Sequence, residues 1–96
     1  ILVDIADAEL GLGNARKALE ILGQIDAKKI DRKALIYARI VAAASRIAQG
    51  QSEAAGVSLK EVDRNFILEM IQRQPQENEW SRLLARWDEI HSQIAS

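Results

Sequence analysis

Apolar residues recur at spacings of three and four along almost the whole chain, and they nowhere alternate with period two between turn residues. That spacing puts one stripe of a helix into a core, and it leaves no segment that reads as a half-buried strand. Breakers are few, one Pro and five Gly in 96 residues. The chain is therefore expected to be all-α, with a topology set by where those breakers fall.

The first helix is expected over about Leu2 to Leu12, with Asp4, Asp7 and Glu9 in its early turns, where carboxylates complement the positive end of the helix dipole. Gly13 ends it and Asn14 caps a second helix reaching about Ile25. So short a connection makes the two antiparallel neighbours. Asp31 can cap a third helix running to about Gln49; it is apolar on more than one side and reads as the central, most buried element. Gly50 stops it. Beyond that point two readings stand. Gln51 to Ala55 starts a long fourth helix, or it is a short turn ended by Gly56. Ser58-Leu59-Lys60-Glu61 favours the second reading: Ser at N-cap and Glu at N3 form a capping box, with Val57 and Val62 as its hydrophobic staple. The stripe Leu59, Val62, Phe66, Met70 then continues to about Arg73, Pro75 ends it, and a last helix runs from about Glu79 to Ile94. The expectation is about five helices, stacked as antiparallel hairpins or packed as a small bundle.

The chain also repeats itself. A shift of 37 aligns Leu10-x-x-Gly13-Asn14-x-x-x-Ala18 with Ile47-x-x-Gly50-Gln51-x-x-x-Ala55, Leu22 with Leu59, and Ile25 with Val62. In each copy an apolar helix ends, Gly turns the chain, a polar residue caps, and a small residue follows four positions later. Over about residues 1 to 62 this resembles the tetratricopeptide family of helical-hairpin proteins. Gly13 to Glu20 looks like that family's inter-helix turn, Ile5-Ala6 like its large-then-small pair, and Leu2 like its first anchor. The second copy departs from the pattern, with Arg39 and Arg46 at positions the family fills with large apolar groups. The resemblance implies a non-catalytic scaffold that binds another protein in a groove lined by the first helix of each pair. Asp4, Asp7, Arg39 and Arg46 are then the groove candidates.

Ala54 to Val62 bears a second likeness, to the turn of helix-turn-helix DNA-binding domains: a small residue and Gly close one helix, Val57 plugs the turn and Ser58 caps the next. Charge argues against a nucleic-acid partner. Thirteen Lys+Arg against fourteen Asp+Glu leave a net −1, and the second helix of that turn would carry Glu61, Asp63 and Glu69 beside Lys60 and Arg64. A protein partner is thus preferred, with nucleic acid as the alternative.

Arg32, Arg39 and Arg46 recur every seven residues on the third helix. They form a basic stripe for an acidic partner, or they snorkel along an exposed edge. Trp80 and Trp87, also seven apart, are either core anchors or an alternative docking surface. An enzyme is not expected. There is no cysteine, the only histidine is His91, and Gly11-Leu12-Gly13 lacks the rest of a phosphate loop. No cofactor or metal is expected either, and the apolar run Ile40 to Ala44 falls far short of the roughly 20 residues a membrane span needs. Ile1 is not an initiator Met, so the sequence reads as one helical domain, 1–96, taken from a longer chain.

Overall fold

A computed structural model describes residues 2–95. The two turns anticipated at Gly13 and Gly50 organise it. Helix α1 (Leu2–Gly11) is followed by α2 (Ala15–Leu22), and α3 (Arg32–Ala48) by α4 (Ser52–Lys60). At the first joint Gly13 N–H donates to the Leu10 carbonyl (3.0 Å) and Asn14 N–H to the Glu9 carbonyl (2.9 Å). At the second, Gly50 N–H donates to Ile47 (2.9 Å) and Gln51 N–H to Arg46 (2.8 Å). Both pairs are the six-to-one and five-to-two bonds of a Schellman turn, which needs a left-handed residue at its fifth position. Gly13 has φ 87° and Gly50 φ 75°, and no other described residue has positive φ. Asn14 (φ −100°, ψ 60°) and Gln51 (φ −101°, ψ 62°) then lead into the next helix with almost the same backbone. The 37-residue offset is thus repeated in the backbone geometry.

Small side chains set the helix crossings. Ala6 and Ala18 in the first hairpin, and Ala43 and Ala55 in the second, are fully buried. With these methyl groups wholly enclosed, a larger residue at any of these positions would push the neighbouring helices apart. Around the first crossing lie Val3, Ile21, Ala38 and Val41; around the second, a larger core adds Ile36, Ile40, Leu59, Val62, Ile67, Trp80, Leu83 and Ile90. Helix α3 serves both cores, through Ala38 and Val41 on one side and Ile36, Ile40 and Ala43 on the other, which explains its apolar character on two faces. Full burial of a side chain such as Ile40 stabilises the fold by roughly 1.5–3 kcal/mol. Asp31 caps α3 as expected, accepting the Ala34 N–H at 2.8 Å.

The family-like anchors are only partly realised. Ala6 sits at the crossing, but Leu2 and Ile5 are 40% and 45% exposed, because no described element covers that side of α1.

The capping box is not formed. Ser58 lies inside α4, and Val57 is 61% exposed rather than stapled to Val62. The Gln51 turn starts α4 at once, and Ala55 and Leu59, four apart and both buried, hold one continuous helix across Gly56. Their burial outweighs the roughly 1 kcal/mol that a mid-helix Gly costs. The chain bends at Glu61 to Asp63 instead. Asp63 caps α5 (Arg64–Arg73) by accepting the Asn65 and Phe66 N–H groups at 3.0 and 3.3 Å. The helix-turn-helix-like turn anticipated at Ala54 to Val62 is therefore absent: residues 54–60 are helix. With α6 (Asn78–Ala95) the described residues form six helices, one more than expected.

Neighbours run α1–α2, α2–α3, α1–α3, α3–α4, and then α6 on both α3 and α4, while the backbone of α5 lies against α6 alone. The extents, 35 × 33 × 23 Å with a radius of gyration of 12.7 Å, are those of a compact bundle rather than an elongated solenoid.

Candidate functional site

Side-chain bonds tie α1, α3 and α6 together. Lys33 in the first turn of α3 reaches Glu77 (2.9 Å) and Glu79 (3.0 Å) at the start of α6. Asp7 in α1 meets Tyr37 of α3 and Arg86 of α6. Between these three helices lies a groove of about 820 Å³, lined by acidic residues from α1 and the head of α3, and by Arg82 and Arg86 from α6.

Asp7 is the node that ties the groove together. Its Oδ2 accepts the Tyr37 hydroxyl at 2.5 Å and Arg86 Nη1 at 2.8 Å, so one carboxylate joins three helices. Burial, reinforced by the neighbouring Asp7 carboxylate, pushes the Tyr37 phenol far above its ordinary pKa. Tyr37 therefore stays a hydrogen-bond donor across the neutral and mildly alkaline range. The Lys33 ammonium is raised as well, chiefly by its hydrogen bond to Glu77; burial opposes this, and the bond to Glu79 and the charges of both acids add to the rise. Arg82 differs from both. It is exposed and makes no hydrogen bond or ion pair among the described residues.

Of the residues singled out in the sequence, Asp4 and Asp7 line this groove. The seven-residue Arg series does not. Arg32 stacks its guanidinium 3.6 Å above the Phe66 ring, clasping α3 to α5. Arg39 pairs with the Glu61 carboxylate at 3.2 Å and donates to the Glu61 carbonyl, also at 3.2 Å, securing the end of α4. Arg46 is half-buried, with its Nε enclosed and without a hydrogen-bond partner. Trp80 is buried, edge-on to Phe66 with ring centroids 5.8 Å apart. Trp87 is half-buried, donates to the Leu59 carbonyl at 3.4 Å and stacks on His91. Arg64 lies 5.6 Å from that Trp87 ring and holds Asp88 through two bonds of 2.9 and 3.2 Å, and the first of these effects on Asp88, the hydrogen bond, lowers its pKa.

Sequence reasoning passed over Lys33, Tyr37, Arg82 and Arg86. A usable signal existed for the last two: a four-residue spacing puts both guanidiniums on one face of the last helix. Chemically the groove offers hydrogen-bond donors and ion-pairing groups, with no Ser, Cys or His among its lining residues. Among the described residues no group of three or more His, Cys, Asp or Glu could hold a metal ion, and no helix is long and apolar enough to cross a membrane. Compared with protein-family models, curated proteins and solved structures, the chain matches none of them.

Proposed function

We propose that the protein is a non-catalytic interaction domain of the tetratricopeptide-like helical-hairpin kind, and that it binds another protein in the groove between α1, α3 and α6. The observation that carries this reading is the groove's composition. At about 820 Å³ it has the size of a small-molecule site, but such sites are lined mainly by hydrophobic and aromatic side chains, whereas seven of the ten residues lining this groove are charged. An ionic, open lining suits a polypeptide segment, whose backbone and side chains can answer each charge. The repeated Schellman turns and the paired alanines at each crossing support the hairpin part of the reading. So does the position of α1 and α3, the first helix of each pair, along the groove.

The chain has no cysteine of its own, so a single introduced one can carry a photo-crosslinker. Asp4→Cys places it in the groove, and Lys29→Cys on an exposed connection outside it. In an extract of the source organism, the groove position should capture a polypeptide that the Lys29 position does not. Capture of nucleic acid at the groove, or the same products from both positions, would overturn the reading.

A further inference from the structure

Resting on that reading, we infer that the groove's occupant is a segment of a partner polypeptide carrying one isolated acidic side chain, which Arg82 holds with help from Arg86. The inference follows from which groups are already satisfied. Each groove carboxylate has an interaction: Asp7 with Tyr37 and Arg86, Glu79 with Lys33, and Asp31 with the Ala34 N–H, while Asp4 is not free either. Lys33 is engaged by two acids, and Arg86 commits one terminal nitrogen to Asp7. Of these groups Arg82 alone has no partner among the described residues. While the groove is open, water satisfies it. A chain laid across the groove removes that water, and an enclosed guanidinium without an acceptor is strongly unfavourable. The occupant must therefore bring an acceptor to Arg82, and a carboxylate matches the planar fork of an Arg best.

Two further observations narrow the occupant. Arg82 and Arg86 are four apart on α6, so they present donors along one wall, and Arg86 keeps nitrogens that Asp7 does not use. The other walls are acidic, with Asp4 and Asp31 facing the same space. A run of acidic residues would meet these as like charges. One acid flanked by uncharged or basic residues fits, and a polyacidic segment does not. The groove lies across three helices and not at the end of a closed cavity, which favours a side chain within a segment over a chain terminus.

Display selection from a random ten-residue peptide library tests this directly, with the native protein, the groove variants Arg82→Glu and Asp4→Arg, and an outer-face control, Lys29→Glu, as baits. All three altered residues are exposed, so none of the changes disturbs the core; matching thermal melts confirm that. The native protein and the control should enrich one common motif with a single Asp or Glu flanked by non-acidic residues. Arg82→Glu should lose that motif and enrich a basic residue at the same position. A synthetic peptide of the motif should bind Arg82→Glu at least about tenfold more weakly than native protein. Blocking its carboxylate as the amide should weaken binding to the native protein by a similar factor. A groove-dependent motif lost in Asp4→Arg but without an acid, or with a run of acids, overturns this inference and leaves the interaction reading standing. Absence of any motif, or one unaffected by both Arg82→Glu and Asp4→Arg, overturns the two together.

Discussion

The two hairpins share a turn, a crossing and a backbone entry into their second helices, yet they are not equally well buried. In the second, α6 covers the pair, and the surrounding core holds Ile40, Leu59, Ile67 and Trp80 at 3% exposure or less. In the first, the core is small and Ala-rich, and Leu2, Ile5 and Leu12 stay in solvent, Leu12 at 75%. Equal local geometry therefore comes with unequal packing. The turn is determined within about six residues, whereas burial depends on which helices happen to lie alongside.

The largest expected effect separates the two cores. Ile40→Ala should cost about 4 kcal/mol and Ile21→Ala about 2 kcal/mol, at opposite ends of the range for large-to-small core changes, because Ile40 is fully enclosed and Ile21 lies at the rim. Denaturant unfolding of both variants measures this; equal losses would mean that the hairpins are equally buttressed after all.

Where the hairpins agree, the changes should agree too. Gly13→Ala and Gly50→Ala meet open space, since a Cβ at either position has nothing within 4 Å. The cost is then purely that of a left-handed L-residue, about 1–2 kcal/mol each. Matched melting shifts would support one shared turn, and a clear difference would show that the resemblance between the turns is only superficial.

Tyr37 joins the second hairpin to Asp7 of the first, and it is the only tyrosine, so the tyrosinate absorbance band reports it alone. An ordinary phenol is half-ionised at about pH 10. Because the folded value is raised, the stability this group contributes is whole below about pH 10 and is lost as pH rises beyond it. The band should accordingly stay weak in folded protein at that pH and appear together with unfolding. Half-ionisation of folded protein at about pH 10 would show that the two hairpins are not joined there. In Asp7→Ala, where the nearby carboxylate is gone, the band should appear at lower pH than in the native chain.

The sequence made the hairpins legible because their determinants are local. Gly13 and Gly50 are needed for a positive φ, and the alanines at Ala18 and Ala55 follow at a fixed distance. The boundary between α4 and α5 is not legible in the sequence for the opposite reason. Ser58-x-x-Glu61 is a sound local cap signal, but Leu59 and Val62 are both claimed by the same core, and Asp63 supplies an equally good cap one turn later. Half of the groove is visible as well, since the hairpin pattern points to Asp4 and Asp7. Its other half, Arg82 and Arg86, comes from a helix more than seventy residues away in the chain, and only the tertiary fold brings that face opposite α1. The Arg series on α3 misled because periodicity reveals a shared face without revealing what covers it. Here Phe66 and Glu61 do.

Asp7 and Arg86 are 79 positions apart, so their bond spans most of the chain. In an open array each unit answers only to its neighbours, and an end can fray at little cost to the rest. This bond exists only while the first and last helices are both in place, and losing either strands a charged partner on the other. The domain is a closed circuit rather than a row of beads. Its two termini should melt as one cooperative unit, and amide protons in α1 should exchange at rates that follow those in α6.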